Sequence, residues 1–81
     1  MNRNDVVNKI KNCVSFVTAI NVQKLDENNS LRKYYKLDCF ELGEIAMGVK
    51  DRFDIDSIKK QYENVDTIGE IADVVMQYGN I

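Results

Sequence analysis

Val6, Val7, Ile10, Cys13, Val14 and Val17 recur at three-and-four spacing. On a helix of 3.6 residues per turn this spacing draws one apolar stripe, and it predicts a first helix with Asn4 or Asp5 as its N-cap. Val14, Phe16 and Val17 are β-branched or aromatic and weaken helix propensity, which places the end of that helix between Phe16 and Ile20. A second stripe, Ile45, Ala46, Val49 and Phe53, predicts a helix from Cys39 to about Phe53. Asp38 stands at its N-cap, and Glu41 three residues on completes a capping-box pair. Asp56 or Ser57 starts a short helix through Ile58 and Tyr62, with room for a turn or two before Glu63-Asn64. Thr67-Ile68-Gly69-Glu70 repeats the capping-box spacing, Ile68, Ile71, Ala72 and Val75 share one face to about Tyr78, and Gly79 is a natural stop. The expected fold is all-α, with three longer helices and one short helix.

Periodicity fades from Asn21 to Leu37, where Asp26-Glu27-Asn28-Asn29-Ser30 reads as a turn-rich connector. So long a first connection in a small domain has to be packed down, and Leu25, Leu31 and one of Tyr34 or Tyr35 are the residues to do it. Gly43 and Gly48 inside the second helix each cost about 1 kcal/mol relative to alanine. Close approach of another backbone is the alternative reason for them. No internal repeat or linker divides the chain, so residues 1–81 are expected to form one domain.

Composition narrows the function more than the fold. The chain has 81 residues, so its core is thin. With 44% hydrophobic and 30% charged residues it reads as an ordinary soluble helical module rather than a disordered tail. No apolar run approaches membrane-spanning length and the polar start Met1-Asn2-Arg3-Asn4-Asp5 does not resemble a secretory signal, so a cytoplasmic protein without membrane association is expected. A net charge of -2 opposes a nucleic-acid role, because phosphate binding needs a basic surface. Histidine is absent, which removes Cys-His and Ser-His nucleophile pairs and imidazole zinc sites. Asp54-Ile55-Asp56 opens like a calcium loop, but the required glycine is missing and Val65 stands where glutamate should close it, so no metal site is expected. The two cysteines read as free thiols, Cys13 on the buried stripe and Cys39 near a loop and more exposed. Arg32, Lys33 and Lys36 read as a solvated loop face.

The stretch from Asp38-Cys39-Phe40 through Glu41-Leu42-Gly43-Glu44-Ile45 to Phe53-Asp54-Ile55 resembles the prosthetic-group helix of acyl carrier proteins. In that family an Asp-Ser-Leu triplet opens the helix, and the serine hydroxyl is esterified by 4'-phosphopantetheine, whose thiol carries the acyl group. Here the triplet reads Asp38-Cys39-Phe40, with a thiol in place of the hydroxyl. The resemblance runs without gaps from about Val6 to Val75. Asn29-Ser30-Leu31 falls where the family has a small polar pair and an apolar anchor, and Val65-Asp66-Thr67-Ile68 matches its turn into the last helix. The family's Leu-Gly before the triplet is Tyr35-Lys36 here.

The resemblance implies a four-helix acyl-carrier-like bundle that catalyses nothing itself. It would present a thioester-linked acyl or aminoacyl group to partner enzymes from position 39, at the N-terminus of the second helix, where N–H groups and the helix dipole favour an attached phosphate. It also implies Cys39, with Asp38 and Phe40, as the cofactor-attachment position, and Glu41, Glu44 and Met47 as contacts for a phosphopantetheinyl transferase and for acyl-activating or synthase enzymes with basic patches. The segment Asp38 to Asp56 holds six acids against two bases, a net of −4, which suits such partners. The carrier is expected to be a monomer. Three readings of Cys39 stay open: it takes phosphopantetheine through sulfur, it takes an acyl group directly as a thioester, or it carries nothing. In the last case the chain is either a carrier-derived interaction module or a carrier whose serine was replaced by cysteine.

Overall fold

Asn2 holds an extended backbone and its side-chain oxygen accepts the Asp5 N–H at 2.9 Å, so the first helix, α1 (Arg3–Thr18), is capped two residues before Asn4. The expectation of Asn4 or Asp5 as the cap is corrected: both lie inside the first turn, where Asp5 is the donor. The computed structural model describes residues 2–55 and 64–78. The α1 helix ends at Ala19, which takes a left-handed φ of 63° and returns its N–H to Ser15 O. A single 3-10 turn follows at Val22–Lys24. Helix α2 spans Cys39–Phe53 and helix α3 spans Ile68–Tyr78. Among the described residues there is no strand, and the architecture is an all-α bundle consistent with that of a carrier. The short helix expected between Asp56 and Tyr62 lies outside the described residues.

The stripes read from the sequence are the core. Val6, Val7, Ile10, Cys13 and Val14 of α1, Ile45, Val49 and Phe53 of α2, and Ile68, Ile71, Ala72 and Val75 of α3 are buried together. Each large side chain so removed from water contributes about 1.5–3 kcal/mol. Both α2 and α3 pack against α1 and make few close contacts with each other. Gly48 lies where α2 packs on Cys13 of α1: a Cβ there would stand 2.5 Å from Cys13 Sγ.

The long connection is packed down as expected. Leu25, Leu31 and Leu37 are buried, and of the two tyrosines it is Tyr35 that turns inward. Its hydroxyl accepts the Asp26 N–H at 2.7 Å and donates to Lys24 O at 3.2 Å, while Tyr34 stays exposed. Two backbone bonds then tie the connection to the start of α3: Leu31 N–H to Asp66 O at 2.6 Å and Gly69 N–H to Glu27 O at 2.9 Å.

Candidate functional site

Asp38 adopts an extended backbone, and its Oδ1 accepts the Glu41 N–H at 2.8 Å while Glu41 Oε1 accepts the Asp38 N–H at 3.1 Å. This reciprocal capping box stops the chain from fraying at the point where Cys39 begins α2. The residue before Leu37 matters as much. Lys36 takes a left-handed φ of 58°, the conformation a glycine supplies without strain, and so turns the chain into the helix without one.

Cys39 is exposed and Cys13 is buried. Burial pushes the Cys13 thiol up, against a smaller lowering by the Arg52 charge, and its S–H lies 3.8 Å from Ile45 O inside the α1–α2 contact. It is a packing residue, as its place on the stripe suggested. Phe40 and Met47 are 81% and 66% exposed, large apolar side chains left in water on the outer side of α2 beside the exposed Glu44. Glu41 is half-buried and its carboxylate is occupied by the capping box.

Cys39, Leu42, Gly43 and Ala46 form one side of an open cleft of about 600 Å³. Its other side is Leu31, Arg32, Val65 and Ile71, brought there by the long connection and by α3. Among the described residues, the lining apart from Arg32 and Cys39 is glycine and aliphatic carbon, which suits an apolar guest. The cleft accounts for Ala46 and Leu42 being only partly buried: they face a gap that α3 does not fill.

One carboxylate fastens the far wall. Asp66 accepts the Ser30 hydroxyl through a short hydrogen bond, and its Oδ1 accepts both the Arg32 N–H and the Arg32 guanidinium at 3.1 Å. Arg32 Nη1 also donates to Val65 O at 2.9 Å. Burial disfavours the Asp66 anion, but the Ser30 hydrogen bond, the Arg32 N–H and the Arg32 charge together outweigh it and hold the carboxyl below its usual range. Local spacing offered no sign of this knot, because its members lie far apart in the chain. The same is true of Arg3, whose guanidinium bonds Glu27 Oε1 at 3.0 Å, Asp73 Oδ1 at 3.1 Å and Gly69 O at 3.4 Å.

No protein-family model matches the chain. An acyl carrier protein from Buchnera aphidicola subsp. Schizaphis graminum (strain Sg) is 28% identical over 72 residues, which cover 89% of this chain and 91% of that protein. The chain is a distant homologue of acyl carrier protein. The likeness covers nearly the full length of both proteins, so it concerns the bundle as a whole and not one helix. In this acyl-carrier-like chain the structure brings Asp38, Cys39 and Phe40 together at the first turn of α2, and sets Glu44 and Met47 on the exposed part of the same helix. Among the described residues no helix is long and apolar enough to cross a membrane.

Proposed function

We propose that this chain is a carrier that holds an acyl or aminoacyl group as a thioester at position 39 and hands it to partner enzymes, without catalysing a reaction itself. The observation that carries the reading is Cys39, exposed, first in a helix whose N-terminus is locked by the Asp38–Glu41 capping box, beside an apolar cleft, in a chain homologous to acyl carrier protein over most of its length. The first-turn N–H groups and helix dipole at Cys39 fit the phosphate of 4'-phosphopantetheine. When bound, that group supplies a thiol on a flexible arm. Cys39 Sγ would hold it through sulfur, and the lining of the cleft would shelter the apolar part of a cargo. Glu44 and Met47, flanked by Phe40 and by Glu41 at the cap, form the face that basic patches on a phosphopantetheinyl transferase or an acyl-activating or synthase enzyme would meet. The carrier works as a monomer in the cytosol on this reading.

One fact favours a second reading, a carrier-derived interaction module without cargo: the nucleophile at position 39 is a thiol, different in size and reactivity from the hydroxyl that the family's transferases position. Intact-mass spectrometry after co-expression with a broad-specificity phosphopantetheinyl transferase separates the two. The carrier reading expects one added phosphopantetheine or acyl group on Cys39, lost in Cys39→Ala. An unmodified wild type beside a modified Cys39→Ser supports the cargo-free module, and rejection of both overturns the carrier reading.

A further inference from the structure

Residues 31–37 close on themselves just before the site helix. Leu31 and Leu37 are buried at the two ends, and the Leu37 N–H donates to Leu31 O at 3.0 Å. Ser30 holds the inside of the turn. Its carbonyl accepts the Tyr34 N–H at 2.9 Å and the Tyr35 N–H at 3.2 Å, and its hydroxyl oxygen accepts the Lys33 N–H at 2.9 Å. The side chains between these anchors are left outside. Lys33 and Lys36 are exposed, and Tyr34 is 65% exposed with its ring T-shaped against that of Tyr35, centroids 4.9 Å apart. Because the Tyr35 hydroxyl is bonded to Asp26 N–H and Lys24 O, the frame that holds Tyr34 in water is itself fixed.

This loop is cationic in an acidic molecule. Arg32, Lys33 and Lys36 supply its charge, and no acid lies between Leu31 and Leu37. Asp66 answers Arg32 at 3.1 Å, whereas Lys33 and Lys36 make no ion pair among the described residues. Lys36 also keeps its left-handed φ of 58° at a cost to the backbone, and strain retained at one residue points to a use for it. Short loops with joined ends are frequent functional surfaces, tyrosine and arginine are enriched at the centres of protein contacts, and a preformed loop loses little freedom on binding. We propose that residues 31–37 form a docking surface for a protein partner whose facing patch sets carboxylates around an apolar seat for Tyr34. Charge disfavours a polymer of phosphates or an anionic membrane. Asp38, Glu41 and Glu44 follow the loop at once and the whole chain carries −2, so a uniformly negative ligand that spans the loop meets them. A discrete acidic patch on a folded protein avoids them. Arg32 and Leu37 line the cleft together with Cys39, so a partner seated on the loop stands beside position 39. The surface is separate from the acidic face of α2, opposite to it in sign, and independent of what position 39 carries.

The probe is an acetylated, amidated peptide of glutamates around a central leucine, titrated into the isotope-labelled full chain at low salt and followed by amide resonances. Saturable shifts centred on Lys33, Tyr34 and Lys36 are expected, and they weaken as salt is added. The double variant Lys33→Gln with Lys36→Gln is expected to bind several-fold more weakly. Tyr34→Ala is expected to bind more weakly with the charge unchanged, and Tm stays close to wild type in both. The tyrosine variant separates a docking surface from plain attraction of counter-ions, so wild-type binding by Tyr34→Ala overturns the proposal. Shifts spread over Lys9, Lys11, Lys24 and Lys50, binding that survives the double variant, or no saturable shift at all overturn it as well. Tighter binding of oligothymidylate or of phosphatidylglycerol vesicles at the same loop also overturns it, and makes the loop a phosphate site instead. None of these readouts involves position 39, so a failure here leaves the carrier reading as it stood, and a failure of loading at position 39 leaves this surface as it stood.

Discussion

Lys36 holds a left-handed backbone without being glycine, and it does so two residues before the N-cap of the site helix. The left-handed conformation costs a side chain about 1–2 kcal/mol. Glycine would remove that cost while adding about 0.4–1 kcal/mol of unfolded-state freedom. Lys36→Gly is therefore expected to stabilise the protein by about 0.5–1 kcal/mol, read as a higher urea midpoint with an unchanged slope. A lower midpoint would mean that the lysine side chain makes a stabilising contact of its own. At this scale the capping boxes were legible, because Asp38 with Glu41 and Thr67 with Glu70 depend only on a spacing of three. The cap of α1 was not. Asn2, Asn4 and Asp5 crowd one turn, and what favours the earlier start is the anchoring of Arg3 to Glu27 and Asp73, residues that no local spacing connects to it.

The elements followed their apolar stripes closely, since burial of one face is what makes each helix stable. Ile45, Val49 and Phe53 are buried as their period requires, and Ala46 departs from the stripe because it faces the cleft. The two glycines of α2 look alike in sequence and are expected to respond in opposite directions. Gly43→Ala gains helix propensity in open space, whereas Gly48→Ala drives a methyl into Cys13 Sγ. A propensity gain of about 1 kcal/mol against overpacking of about 1–3 kcal/mol leaves Gly48→Ala destabilised by up to about 2 kcal/mol. A double-mutant cycle with Cys13→Ala checks the cause: the loss should be largely recovered in the pair, and additive effects would place the strain elsewhere.

Across the whole molecule, the ties that hold the long connection against α3 are polar and distant in sequence, and that is why the cleft they border was not legible. The resemblance placed Asn29-Ser30-Leu31 and Val65-Asp66-Thr67-Ile68 as separate landmarks, and folding joins them through the Asp66 carboxylate. Because the folded Asp66 carboxyl lies below its unfolded value, its contribution to stability is complete above roughly pH 4 and is lost as the pH falls through the folded value. Asp66→Asn is expected to lower stability by about 1–2 kcal/mol at neutral pH and to flatten the acid limb of the stability profile. Equal acid sensitivity in both proteins would assign that limb to other carboxylates.

The central claim is that residue 39 is where cargo is attached, and peptide mapping by mass spectrometry of the protein isolated from its own host tests it most directly. The peptide containing Asp38-Cys39-Phe40 is predicted to carry an added mass on Cys39 that neutral hydroxylamine removes wholly or in part. A free Cys39 thiol throughout the isolated protein would contradict the claim.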